Sequence, residues 1–238
     1  MAEGILPLLV FGAHPDDIEF GAGAIVCQEA RGGRRVHWVV TSRGESGTHG
    51  TAEQREAEAR AAAKILGATV EFVELDGDGR LEVRAAHAVA LARVIRRERP
   101  GIVMGPTGVE NQHPDHAALS ALVRTAARLA RYGGMADLRE QGAHAIGALL
   151  WYAVTADAEL GAVPVLVDVS AAEVMGAWRA AMEAHRSQMG TRKYVEMALA
   201  RARLWGLRAG VEHALPVWAN DGVVVGGLGA VGRGARGF

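Results

Sequence analysis

Four short apolar runs rich in β-branched residues, at 7–13, 35–41, 69–75 and 101–105, alternate with stretches of helical period, and this alternation constrains the fold more than any other feature. The runs are nearly continuous in apolar character, as expected of strands buried on both faces. Helical segments lie between them at 20–30, 52–66 and 83–99, and a fourth runs from about 115 to about 132. Thr51 and Gln54 open the second as a capping box and Gly67 closes it. Strand-helix alternation predicts an α/β fold: a Rossmann-like, mostly parallel sheet with helices on both faces and ligands at the carboxyl ends of the strands. Two further strands are expected at 148–154 and 164–170, followed by a helix that Ser170 and Glu173 cap. The segment 133–147 reads as a surface loop or insertion. The Gly-rich ending "GGLGAVGRGARGF" is expected to be mobile. Residues 1–238 are read as one domain.

Composition narrows the partners. Lys and Arg number 26 against 27 Asp and Glu, a net charge of −1, so nothing points to nucleic acid or an anionic membrane surface. No signal-peptide pattern opens the chain and no apolar run would cross a bilayer, so a cytoplasmic protein acting on small molecules is expected, assembled as a homo-oligomer. Cys27, the single cysteine, lies among Ala, Ile and Val and is expected to pack in the core.

Two loops carry the chemistry. "HPDD" (14–17) follows the first strand and "HPDH" (113–116) the fourth, so two His and several Asp converge at the same end of one sheet. Imidazoles and carboxylates together suit zinc, which at catalytic sites takes three protein ligands and leaves a position open for water. Pro15 and Pro114 stiffen the backbone directly after a His in each loop. Either motif alone would serve as an ordinary helix cap, but two at matching strand ends favour the metal. His37, His49, His87, His144, His185 and His213 lack such a partner motif and are read as surface or satisfied core residues. A nucleotide-binding module is the competing class, suggested by "GAGA" after the first strand. The intervening "HPDDIEF" separates those glycines from the strand-to-helix turn, where a dinucleotide fingerprint needs them.

"AHPDDIEFGAG", the "TSRGESGTHGTAEQREAEARAAAKILGA" segment and "HPDHAAL" together resemble the LmbE-like, or PIG-L-like, family of zinc-dependent deacetylases acting on N-acetylglucosaminyl conjugates. "EAHRSQM" and "RARLWGLRAGVEHALPVW" resemble the branch typified by the bacillithiol biosynthesis deacetylase, which acts on N-acetylglucosaminyl malate. The resemblance implies Zn2+, with Fe2+ as an alternative, held by His14, Asp17 and His116. It implies Asp16 as the base that takes a proton from water; the chemistry then expects the metal and a protonated His113 to stabilise the oxyanion, and His113 or Asp16 to give a proton to the departing amine. Asp115 is expected to orient His113, or else to cap the following helix. Glu45 of "RGESG" is expected to bind sugar hydroxyls, and Arg55 either an anionic part of the substrate or a Glu on its own helix face. Relatives carry a basic residue just before "ALLWYAV"; here His144 alone is available.

Overall fold

The computed structural model describes residues 5–110, 113–190 and 192–235. One sheet is built from β1 (Leu8–Gly12), β2 (Val36–Val40), β3 (Thr69–Phe72), β4 (Ile102–Pro106), β5 (Ala148–Tyr152), β6 (Val165–Asp168) and β7 (Ala214–Ala219). Its order is β3-β2-β1-β4-β5-β7-β6. The pairs from β3 to β5 are all parallel, and β7 runs antiparallel to both β5 and β6. The helices are α1 (Asp17–Arg31), α2 (Ala52–Ile65), α3 (Ala85–Glu98), α4 (Pro114–Arg131), α5 (Ala172–Glu183) and α6 (Tyr194–Ala209).

Side-chain alternation along β1 divides the core. Leu8 and Val10 enter one apolar cluster with Trp38, Tyr152 and Trp178, whereas Leu9 and Phe11 enter another with residues of α3 and α4. A strand whose every side chain is buried must be covered on both sides, so the doubly wound arrangement follows from the first run of the chain. Cys27 belongs to the first cluster. The small residues after β1 are packing devices. A Cβ on Gly21 would lie 2.3 Å from the Tyr152 ring and one on Gly23 2.7 Å from Trp178. With Ala22 and Ala24 also buried, this surface has no room for a dinucleotide.

Several expectations change. Helix α1 begins at Asp17, so "DIEF" is its first turn. Ser170 does not cap α5: its hydroxyl bonds Asp168 and the His213 carbonyl, and the N-cap is Ala171. The segment 133–147 is tied down by Arg96, whose buried guanidinium donates to the carbonyls of Ala130, Leu138 and Gln141. Strand β7 was not expected. The Gly-rich ending carries a short 3-10 turn at Leu228–Ala230, and its last three residues lie outside the described ones.

Candidate active site

The strand order reverses between β1 and β4, and the loops leaving these two neighbours build the site. After Gly12 the chain turns through Asp16, which holds φ at 104°, an unfavourable left-handed conformation for a non-glycine residue. Arg55 braces this turn from α2: its Nη2 donates to the Pro15 carbonyl at 3.0 Å and to Asp16 Oδ2 at 3.3 Å. The turn separates the adjacent carboxylates. Asp16 stays 21% exposed and lines a cleft, while Asp17 points inward, its Oδ2 accepting the amides of Ala13 and His14 at 2.9 Å each. From the other loop, His113 is the N-cap of α4 and Pro114 its first residue, which places His116 in the first turn. His116 Nε2 reaches Asp17 Oδ1 at 3.0 Å, and His14 Nδ1 lies 3.5 Å from Asp17 Oδ2.

The expected ligands His14, Asp17 and His116 are thus brought together, all buried, with donor atoms within 4.8 Å of one another. Their electrostatics ask for a cation. Burial alone would lower the pKa of His14, but the charge of Asp17 and the hydrogen bonds of Asp115, Asp17 and Asp78 raise it well above 6.5. Burial likewise opposes ionisation of Asp17, yet His116 and His14 hold its carboxyl well below the usual range. A proton on His14 therefore satisfies carboxylates that a divalent ion would satisfy better. Two imidazoles and one carboxylate fit Zn2+ or Fe2+.

Asp78 is a site residue that sequence reading missed. Its Oδ1 lies 3.1 Å from His14 Nε2, and Asp115 Oδ2 lies at the same distance from that nitrogen. Asp115 also accepts the amides of Gly79 and Leu81, so the β3–α3 loop is laced to α4. The paired acidic and glycine residues of "DGDG" after a strand end were the available signal. The Asp115 carboxylate thus holds His14 and stands 4.0 Å from His113 Nδ1, which its backbone amide contacts instead. Carboxylates behind a ligating imidazole fix its ring and tautomer.

His113 differs in charge from expectation. Its Nδ1 accepts the Asp115 amide at 3.3 Å, which leaves the proton of the neutral ring on Nε2. Burial, then the neighbouring His14, lowers its pKa below 6.5, so it is a neutral donor at pH 7 rather than an imidazolium. Glu45 does not line the cleft; its carboxylate accepts the amides of Asp78 and Arg43 and braces the loop. Arg55 is also buried behind the site: its Nη atoms donate to Gly44, Pro15 and Asp16, while Nε is buried with no partner among the described residues. His144 is buried against the Pro100 carbonyl, so the basic residue that relatives place there has no counterpart at that position.

Above the triad opens a cleft of about 690 Å³. Its lining includes Asp16, His113 and His116, the rings of Phe20 and Tyr194, residues 154–157, and Arg201 of α6. His185 and Glu19, buried and 2.7 Å apart, tie the segment after α5 to the first turn of α1.

Residues 9–127 match the family described as PIG-L: GlcNAc-PI de-N-acetylase. The chain belongs to that family. The conserved protein TT1542 from Thermus thermophilus is 33% identical, covers 93% of this chain and 97% of its own, and superposes with a TM-score of 0.82. The uncharacterized deacetylase YaiS of Escherichia coli is 35% identical over 118 residues, 47% of this chain and 63% of YaiS. The 4-oxalmesaconate hydratase of Pseudomonas putida is 31% identical over 138 residues, 53% of each. The chain thus spans between about half and two thirds of these two curated relatives. PIG-L-like proteins include a hydratase as well as deacetylases, so the reaction must be argued from the site.

Proposed function

We propose that this PIG-L family protein is a metal-dependent N-deacetylase that removes acetate from an N-acetylglucosaminyl conjugate, with N-acetylglucosaminyl malate, of bacillithiol biosynthesis, as the specific substrate. The observation that carries the reading is the division of labour in "HPDD": Asp17 is buried with two imidazoles, and its neighbour Asp16 faces the cleft. His14, Asp17 and His116 would hold Zn2+ or Fe2+, which supplies Lewis acidity toward a carbonyl and makes water more acidic.

The chain's own residues do the rest. Asp16, held by Arg55, takes a proton from the water that adds to the acetamide carbonyl carbon. As the carbonyl oxygen gains negative charge, the Nε2–H of His113 donates to it. The C–N bond then breaks, Asp16 returns the proton to the departing nitrogen, and acetate and the free amine leave. Phe20 and Tyr194, packed edge to face at 6.1 Å, offer an apolar side to a sugar ring.

The test is amine release from a panel of N-acetylglucosamine conjugates by protein whose metal content has been measured. About one equivalent of Zn or Fe is expected per chain, and both it and turnover should be lost in His14→Ala and His116→Ala. Unchanged metal in both variants would overturn the ligand set. Addition of water to an unsaturated dicarboxylic acid with no deacetylation would favour the hydratase chemistry instead.

A further inference from the structure

The lining of the cleft contains an arginine whose hydrogen bonds are incomplete. Arg201 projects from α6, is buried, and lines the cleft. Its Nε donates to Glu159 at 2.6 Å and its Nη1 to the Ala153 carbonyl at 2.8 Å, while Nη2 is buried with no partner among the described residues. Glu159 is engaged twice, since the Trp205 indole donates to the same oxygen at 2.8 Å. A buried guanidinium donor left unmatched costs free energy, and because Arg201 lines the cleft a ligand oxygen can supply the acceptor. Arg192 lines the same cleft, is exposed, and pairs with no carboxylate among the described residues.

We propose that Arg201 and Arg192 form a subsite for an anionic oxygen group, carboxylate or phosphate, attached to the acetylated sugar. This rests on the deacetylase reading and moves the acid-binding role from Arg55, which is buried behind Asp16 and outside the cleft lining, to α6 and the segment preceding it. Arg201 supplies a fixed, preorganised donor, because Glu159 and Ala153 hold its plane. Arg192 supplies a second, exposed cation in the same lining. Asp157 in the same cleft offers an acceptor to a sugar hydroxyl.

The experiment compares wild type, Arg201→Met and Arg192→Ala on N-acetylglucosaminyl malate, N-acetylglucosamine 1-phosphate and methyl N-acetylglucosaminide. It measures kcat/KM and, by calorimetry on metal-free protein, binding of the same three compounds. Wild type should prefer an acid, and a preference for malate over phosphate, or the reverse, identifies the group. Loss of a charge-assisted bond in a desolvated site predicts a fall of about ten- to a hundredfold in the acid-to-neutral ratio for Arg201→Met, and a smaller one for Arg192→Ala. Equal losses on acid and neutral compounds would overturn the subsite. If Arg201→Met does not fold, Arg192→Ala decides alone: an unchanged acid-to-neutral ratio refutes the proposal. Selective binding of the acids without acetate release would refute the deacetylase reading and leave the subsite standing.

Discussion

Replacing Arg55 by Ala separates the two roles this residue can have. The side chain is 6% exposed and contacts the Gly44 carbonyl at 2.8 Å, the Pro15 carbonyl at 3.0 Å and Asp16 Oδ2 at 3.3 Å, with Asp78 Oδ2 at 4.0 Å. Truncation leaves two carbonyls short of a donor and two carboxylates short of a cation. Breaking a buried ion pair in this one-sided way costs about 3–5 kcal/mol, which in a chain of this size lowers Tm by roughly 10 °C or more. The turn at Asp16 suffers most, because its left-handed backbone is worth about 1–3 kcal/mol of strain that the surroundings must hold in place. Burial and Asp17 push the Asp16 pKa up, while His185 and Arg55 pull it down, to a balance of about 6. Without Arg55 that pKa rises, and the base is both displaced and harder to ionise. We expect kcat to fall on the order of 10²-fold on acidic and neutral substrates alike. Thermal unfolding of the metal-loaded protein and kcat on N-acetylglucosaminyl malate and methyl N-acetylglucosaminide measure both effects. A variant with wild-type Tm that loses activity only on the acidic substrate would refute the reasoning and make Arg55 a substrate contact.

Asp16→Asn should keep its metal and lose about 10²-fold or more in kcat, since the amide accepts no proton; a near wild-type rate with normal metal content would exclude Asp16 as the base. The same substitution should stabilise the metal-free protein above pH 6. Asp16 holds its proton to about pH 6 in the fold against 3.8 ordinarily, so its favourable contribution is complete below 3.8 and is lost as pH rises through 6. Denaturant unfolding at pH 5 and 7.5 should show the Asn variant gaining on wild type at the higher pH by about 1–3 kcal/mol; no gain would mean the carboxylate is well solvated. Gly21→Ala should cost about 1–3 kcal/mol, because the added methyl overlaps the Tyr152 ring; an unchanged Tm would show that the ring moves aside freely.

The parallel half of the sheet was legible in the sequence because strands buried on both faces leave continuous β-branched runs, and the helices between them carry caps such as Thr51. Strand β7 was not, because "ALPVWA" carries a proline unsuited to most strands and owes its existence to pairing with both β5 and β6. The His14–Asp17–His116 cluster was legible because each of its loops leaves a strand end with a His, a Pro and an Asp side by side. Asp78 escaped notice since its meaning depends on a contact with His14 across 64 residues of chain, made only when the β3–α3 loop folds over α4.

Residue types and their order along the chain were enough to determine the α/β class, the two loops that meet, and the His and Asp residues they bring together, because backbone periodicity and strand-end placement are local properties. Tertiary structure alone decided what each polar group faces. Glu45 and Arg55 turned out to brace the site from behind, Asp115 to hold His14, and Arg201, 187 residues after that histidine in the chain, to line the cleft. The reason is that a side chain's role is set by the partners that burial forces on it. Those partners come from segments whose separation in the sequence carries no trace of their contact.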